Sequence, residues 1–303
     1  MLKTLQNAFK VKDVRHRIFY VLMMLVVVRI GSQLPVPGVD SSYFQEWFAS
    51  QSGDAFNFLD AFTGGSFSQM SICALSITPY ITSSIIMQLL TIAIPKLEEM
   101  QRDGEEGRKK IGAITRYVTV GLSLFESIAM AIGFGNKGLI PDNNFAKMVV
   151  VVAALTAGSA FLMWIGEQIN EKGIGNGISI VLLINIVSRI PSDMVTLYET
   201  FIKGKIIAKG ILAAVIIAAI IVGVVVLVLI LNGAERRIPV QYSKKVQGRK
   251  MMGGQSSHIP LKVNTAGVIP VIFASSIMSF PSVIASFLGK TGGTGIGGKI
   301  LAG

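Results

Sequence analysis

Residues 72–95 read Ile72-Cys73-Ala74-Leu75-Ser76-Ile77-Thr78-Pro79-Tyr80-Ile81-Thr82-Ser83-Ser84-Ile85-Ile86-Met87-Gln88-Leu89-Leu90-Thr91-Ile92-Ala93-Ile94-Pro95, twenty-four positions without one charge. A bilayer core of ~30 Å takes about 20 helical residues to cross, so the run is long enough to span it. It is also interrupted by Pro79, Gln88 and several hydroxyls, which membrane-depth backbone tolerates only beside other protein or a water-filled path. Similar runs lie at 210–234, 263–289 and 148–166. Three weaker ones complete a set of seven: 18–35 with Arg29, 111–134 with Arg116 and Glu126, and the short 173–188. Pro270 and Pro281 add breaks to the last span, so the ensemble reads as a helix bundle around a path.

The composition agrees with this reading. Of 303 residues, 51% are hydrophobic and 15% charged, against ~25% charged in an ordinary soluble domain. Mean hydropathy is +0.61, which excludes a disordered chain, and the surface of a soluble enzyme cannot be built from so few charges. One cysteine, Cys73, excludes an internal disulfide framework and a multi-cysteine metal site. The polar, basic first seventeen residues, with no small-residue cleavage site after the first apolar run, predict no removable signal peptide.

The net charge of +11 is distributed unevenly. With the N-terminus in the cytoplasm, segments 1–17, 96–116, 167–172 and 232–262 are inside and hold nineteen of the 28 Lys and Arg, leaving nine outside. That bias predicts a cytoplasmic N-terminus, and seven spans then put Gly303 outside. The resulting organisation is a cytoplasmic segment 1–17, a five-span first half 18–188, an outer-side loop 189–209, two more spans over 210–289, and a Gly-rich end 290–303.

Two stretches resemble each other: 77–87 and 268–278 both carry Pro-x-Ile, then Ser-Ser-Ile and Met. The topology runs them in opposite directions, the pattern of inverted repeats that flank a central site, which makes Ile81 and Ile272 symmetry mates. Residues 56–71 are apolar but too short to cross, so they read as a re-entrant or interfacial segment hinged at Gly64-Gly65, or as a half-buried outer loop. In loop 232–262, Arg236, Arg237, Lys244, Lys245, Arg249 and Lys250 face Glu235 alone. Such a loop enforces topology, touches anionic lipid or binds RNA phosphate. Loop 96–110, with five basic and five acidic residues, suits a protein partner.

Motifs for chemistry are weak. Gly133-Phe-Gly-Asn-Lys-Gly138 formally matches GxGxxG but follows a membrane helix rather than a strand. Gly293-Thr-Gly-Ile-Gly-Gly298-Lys299 imitates a phosphate loop with Ile300 where a hydroxyl is needed. His16 and His258 sit in separate segments. No catalytic constellation, cofactor site or metal site is expected, and the chain does not read as an enzyme. A secondary solute transporter with broken helices is the alternative, but it would need an ionisable group near the midplane, for which only Glu126 is a candidate.

Arg29-Ile-Gly31, Leu34-Pro-Val-Pro-Gly38, Ile77-Thr-Pro-Tyr-Ile81, Gln88-Leu-Leu90, Gly104-Glu-Glu-Gly-Arg108 and Thr115-Arg-Tyr117 resemble the SecY family, the pore-forming subunits of the bacterial Sec translocon. The likeness continues through Phe161-Leu-Met-Trp-Ile-Gly-Glu-Gln168, Gly173-Ile-Gly-Asn-Gly-Ile-Ser179 and Gln255-Ser-Ser-His-Ile-Pro-Leu-Lys-Val-Asn264, in the family's order. The resemblance implies an all-α polytopic membrane helix bundle of two pseudo-symmetric inverted halves. That family has ten spans, so the second half here is expected to be incomplete, either truncated or continued on a separate chain. It implies a protein-conducting channel in the bacterial plasma membrane that moves unfolded polypeptides across and releases hydrophobic segments sideways into lipid.

The same resemblance implies site residues. The aliphatic pore ring comprises Ile77, Ile81, Ile178, Leu182 and Ile272, a sixth member lying in a span this chain lacks. The plug at 56–71 includes Phe58, Leu59, Phe62, Gly64, Gly65 and Phe67. Gln88 and Asn176 belong near the lateral gate, and the six basic residues of loop 232–262 dock the ribosome and the SecA motor ATPase. The implied partners are SecE, SecG, SecA, the ribosome, signal peptides, the translocating polypeptide, membrane lipids and the part of SecY carrying three more spans.

Overall fold

A computed structural model describes residues 9–50, 60, 61, 63–136, 145–201, 207–240, 245–247, 250–252, 257–265, 267 and 274. Among the described residues eight helices run in chain order: α1 (Lys12–Gln33), α2 (Ser41–Ser50), α3 (Thr78–Ala93), α4 (Pro95–Arg102), α5 (Glu105–Asn136), α6 (Phe145–Lys172), α7 (Gly177–Phe201) and α8 (Ile207–Gly233). Of these described helices four are long and apolar enough to cross a membrane: α5, α6, α7 and α8 from Gly210. The bent pair α3–α4 makes up to five. The described residues form two compact units that part within α7, the first ending at Pro191 and the second covering Ser192–Ala274. Pro191 is inside the helix, where it removes one backbone hydrogen bond.

In the first unit α5 packs along α6, α3 against α5, and α1 against α6. α6 buries Val151, Leu155, Gly158, Leu162, Ile165 and Ile169, a spacing of three and four that keeps one face inward. α5 has 32 residues and so is about 48 Å long, longer than a bilayer core. Its first turn carries Glu105 and Glu106, acids that favour the positive end of a helix dipole. Thr115, Thr119, Ser123 and Ser127 form its buried hydroxyl stripe. Each donates to a carbonyl one turn back, at 2.7 to 3.0 Å, so none needs water. Asp40 immediately precedes α2, and its carboxylate accepts from the Ser42 hydroxyl at 2.6 Å and the Ser42 N–H at 3.1 Å. Those bonds favour the charged form and hold its pKa below the ordinary carboxylate value.

Two apolar clusters make the core. One gathers Val36, Phe44, Phe67, Met70, Leu75, Met130, Phe134, Val151 and Leu155, with the Phe44 and Phe134 rings edge to face at 5.0 Å. The other gathers Val28, Cys73, Ile77, Leu162, Ile165, Ile169 and Val181.

Three findings differ from expectation. The run 72–95 is not one helix: residues 72–77 form turns, with Ser76 at φ +52°, and α3 begins only at Thr78. Just ahead of them the Met70 carbonyl accepts the Val36 N–H, Ile72 N–H donates to the Leu34 carbonyl, and the Ala74 and Ser76 N–H groups bond locally to the Ser71 and Cys73 carbonyls. At the other end Pro95 starts a new helix and the chain turns by 102°. Second, α7 continues to Phe201, well into the stretch assigned to an outer loop from residue 189, because Arg189 sits inside a helix with a partner. Third, the segment read as a basic loop holds strands: β1 (Glu235–Val240) pairs antiparallel with β4 (Ser257–Lys262), and β2 (Lys245–Gln247) with β3 (Lys250–Met252). α1, α5, α6 and α8 overlap the expected spans, α2 lies between two of them, and nearly all of 263–289 lies outside the described residues.

Candidate functional site

The starts of α3 and α7 carry the ring candidates. Ile77 caps α3 and is 1% exposed, and Ile81 follows one turn later. The turn into α7 is fixed by two asparagines. Asn170 Oδ1 accepts the Gly177 N–H at 2.7 Å, and Asn176 Oδ1 accepts those of Ile178 at 3.1 Å and Ser179 at 3.4 Å. Capping of this kind satisfies N–H groups that the first helical turn leaves free, and is worth ~1 kcal/mol.

Glycine then lets α7 lie on α6. A Cβ on Gly177 would stand 2.1 Å from the Gly166 carbonyl oxygen. One on Gly166 would meet Ile178 Cγ1 at 3.3 Å and Ile77 Cδ1 at 3.6 Å, so the two isoleucines converge on the same spot of α6. Ile81, Ile178 and Leu182 are half-buried and pack against the cluster that contains Ile77. Four of the five ring candidates are thereby brought together, and Ile272 lies outside the described residues.

The glycine-hinged segment packs beside them. Gly64 and Gly65 have φ of +68° and +83°, conformations that cost a side chain ~1–2 kcal/mol. A Cβ on Gly64 would meet the Asn185 carbonyl oxygen at 2.5 Å, so the segment touches the backbone of α7. Phe67 is buried against Phe44, ring centroids 6.2 Å apart. Phe58, Leu59 and Phe62 lie outside the described residues.

Sequence reasoning missed what holds this segment. Asp60 is 3% exposed and pairs with Arg189 of α7, while its Oδ1 accepts the Ser68 N–H at 2.9 Å. One turn earlier on α7, Asn185 Nδ2 donates to Ser76 Oγ at 3.1 Å. The available signal was a lone carboxylate in the otherwise uncharged stretch 55–95 and a guanidinium among the apolar residues of 177–191.

The two gate candidates have separate surroundings. Asn176 is exposed and caps α7, and Gln88 is exposed on α3. Arg116 Nε and Glu167 Oε1 join α5 to α6 at 2.6 Å, which removes Arg116 from any midplane role. Arg236 and Arg237 are exposed neighbours on β1, so their side chains leave opposite faces of the ribbon. Lys245 and Lys250 lie on β2 and β3, while Lys244 and Arg249 are outside the described residues. Among the described residues no group of three potential metal ligands forms.

The SecY family model matches residues 71–301. The protein translocase subunit SecY of Halalkalibacterium halodurans is 44% identical over 295 residues, covering 96% of this chain and 68% of that one. The subunit of Escherichia coli K12 is 43% identical, covering 93% and 64%. The chain thus spans about two thirds of the length of these relatives. Its fold is similar to a protein conducting channel (TM-score 0.61, 20% identity, 92% of this chain and 60% of that one). It is also similar to Sec61 in a canine ribosome–channel complex (TM-score 0.60, 20% identity, 92% and 60%). The bacterial relatives and the apolar helices make this a multi-pass protein of the plasma membrane. With three quarters of its residues inside the family match and its helices arranged as in the solved channels, the chain belongs to the SecY family.

Proposed function

We propose that this chain forms the wall of a protein-conducting channel, a passive conduit rather than an enzyme. It passes unfolded polypeptides across the bacterial plasma membrane and releases hydrophobic segments sideways into lipid. The observation that carries this reading is the convergence of Ile77, Ile81, Ile178 and Leu182 in one apolar cluster beside a glycine-hinged segment. A constriction of aliphatic side chains blocks ions by dewetting. The same side chains have no directional bonds to satisfy, so they accommodate a passenger of any sequence. Ile272 completes the ring as Ile81's symmetry mate, the N-terminus is cytoplasmic, and 56–71, with Phe58, Leu59 and Phe62, is the plug.

Lateral release is driven by transfer of apolar surface to lipid, about 0.8 kcal/mol per CH₂. Gln88 is exposed on α3 and Asn176 starts α7, positions that suit a polar seam loosened by a passenger. Cysteine at Ile81, with Cys73 replaced by alanine, is expected to crosslink to a stalled secretory chain in the complete complex. Cysteine at Gln88 is expected to capture a stalled hydrophobic signal segment instead. If Ile81→Cys reacts only with lipid-borne reagents and never with the passenger, the pore assignment fails. Loss of signal capture at Gln88 alone removes the gate assignment.

The exposed Arg236 and Arg237 on a β ribbon, with Lys244, Lys245, Arg249 and Lys250 following in the sequence, support a cytoplasmic dock for the ribosome and SecA. SecE and SecG are the partner subunits that the family reading supplies. Each phosphate neutralised releases counterions, so binding to ribosomal RNA weakens with salt at a log–log slope of ~0.7–0.9 per contact. Changing the six residues to glutamine is expected to weaken ribosome binding at least about tenfold at low salt and to flatten that slope. Unchanged affinity for both ribosome and SecA would rule the dock out.

A further inference from the structure

We propose that Asp60 and Arg189 are a latch: a pair of positioning residues that holds the glycine-hinged segment against α7 and sets how readily the channel unseals. The inference rests on the channel reading and deepens it.

The segment 60–68 is closed around Asp60. Its carboxylate accepts the Ser68 N–H at 2.9 Å, and its carbonyl accepts the Gly65 N–H at 3.1 Å and the Thr63 hydroxyl at 3.2 Å. Displacing Asp60 therefore carries the whole loop with it. The second carboxylate oxygen goes to Arg189, whose side chain is 25% exposed against 4% for Asp60. A buried carboxylate is stable only when both oxygens are occupied by donors, and here they are.

The remaining contact is easily parted. Gly64 faces the Asn185 carbonyl with no side chain to interlock. α7 itself is referenced to the fixed part of the fold one turn earlier, through Asn185 Nδ2 and Ser76 Oγ at 3.1 Å. Residues 185 and 189 are four apart and share a helix face, so one helix holds the scaffold with its first residue and the loop with its second. Ser76 and Met70 occupy left-handed backbone, φ +52° and +46°, between the loop and α3. That region is rarely populated by side-chain-bearing residues and persists only when its surroundings hold it there. Breaking the Asp60–Arg189 pair removes a charged contact between the loop and α7.

The test uses the complete SecY complex carrying this sequence, reconstituted in liposomes, with chloride influx as the readout and thermal stability of the purified complex measured in parallel. Asp60→Asn and Arg189→Gln are each expected to raise chloride leak about tenfold. The double variant is expected to leak no more than the leakier single one, the non-additivity of two groups acting as one. Arg189→Lys keeps the charge and is expected to stay within about twofold of the parent, since Lys retains an ammonium donor where Arg189 offers NH1. An I81G/I178G/L182G variant serves as the open-ring control. Leak from the control alone overturns the latch and leaves the channel reading standing. Single variants that lose thermal stability but leak like the parent make the pair a structural ion bridge and also overturn it. If no variant leaks, the control included, the channel reading falls and the latch falls with it.

Discussion

Valine at position 158 is expected to prevent the chain from accumulating as a folded membrane protein. Gly158 lies on the buried face of α6, three residues after Leu155 and four before Leu162. A Cβ there would stand 2.0 Å from the Ile72 carbonyl oxygen and 2.7 Å from its carbonyl carbon. These are backbone atoms, so no rotamer change can make room. The segment they belong to is bonded to residue 34 on one side and leads into Ile77 on the other. Even alanine must push α6 and this segment apart by about 1 Å, given that real contacts at Cβ stay beyond about 3 Å. Overpacking ordinarily costs ~1–3 kcal/mol, and forced movement of backbone puts valine above that range, ~4 kcal/mol or more. Gly121 of α5 is the internal control: nothing lies within 4 Å of its Cβ position, and Gly121→Ala is expected to be neutral or slightly stabilising. Fluorescence-detected size exclusion of the detergent-solubilised complex reads both. A monodisperse Gly158→Val complex melting with the Gly121→Ala one would show that the close approach is not needed.

What the sequence displays depends on whether a feature is a one-body or a two-body property. α8 is the clear one-body case: its run without charges is enough to call a span, and none of its most apolar window is buried among the described residues. Partition into lipid is all that it requires. α7 shows the opposite. Hydropathy cuts its span short at Arg189, because a window sum treats every guanidinium as unpaired. In the fold Asp60, more than a hundred positions away, supplies the counter-charge, and the helix runs on to Phe201. The turns at 72–77 are hidden for a similar reason. Their residues are apolar enough for a helix, and the bond from Ile72 to Leu34 that ties the stretch to distant chain is not written locally.

The constriction was partly legible. Spacings of four put Ile77 with Ile81 and Ile178 with Leu182 on shared faces, but their convergence depends on Gly166 and Gly177 letting α7 lie on α6. No periodicity encodes that meeting, and only the family resemblance singled those four positions out from the other isoleucines and leucines. The basic loop was legible as charge and not as structure: alternating Arg-Ile-Pro-Val and His-Ile-Pro-Leu stretches form a ribbon that charge counting overlooks.

Thinning the ring is expected to make the membrane leak. Ile81, Ile178 and Leu182 are half-buried, so removing their side chains takes apolar bulk from the constriction while Ile77 stays packed with Leu162 and Ile165. A hydrophobic gate works because water leaves a narrow apolar neck, and an ion cannot follow without its hydration shell. Glycine at the three positions widens the neck and exposes backbone carbonyls, both of which favour wetting. The expected rise in chloride permeability is at least tenfold, equivalent to ~1.4 kcal/mol off the barrier. Glycine inside a helix also costs ~1 kcal/mol per position relative to alanine, so the leak must be measured on complexes that still elute as one species. Asparagine at Ile81 and Leu182 separates width from wetting. Its side chain has as many heavy atoms as those replaced and keeps far more bulk than glycine, so a leak from this variant as large as that of the glycine one traces the seal to dewetting rather than to steric closure. A tight asparagine variant beside a leaky glycine one would assign the seal to bulk alone. Tight membranes with both would mean that these side chains do not line the path at all.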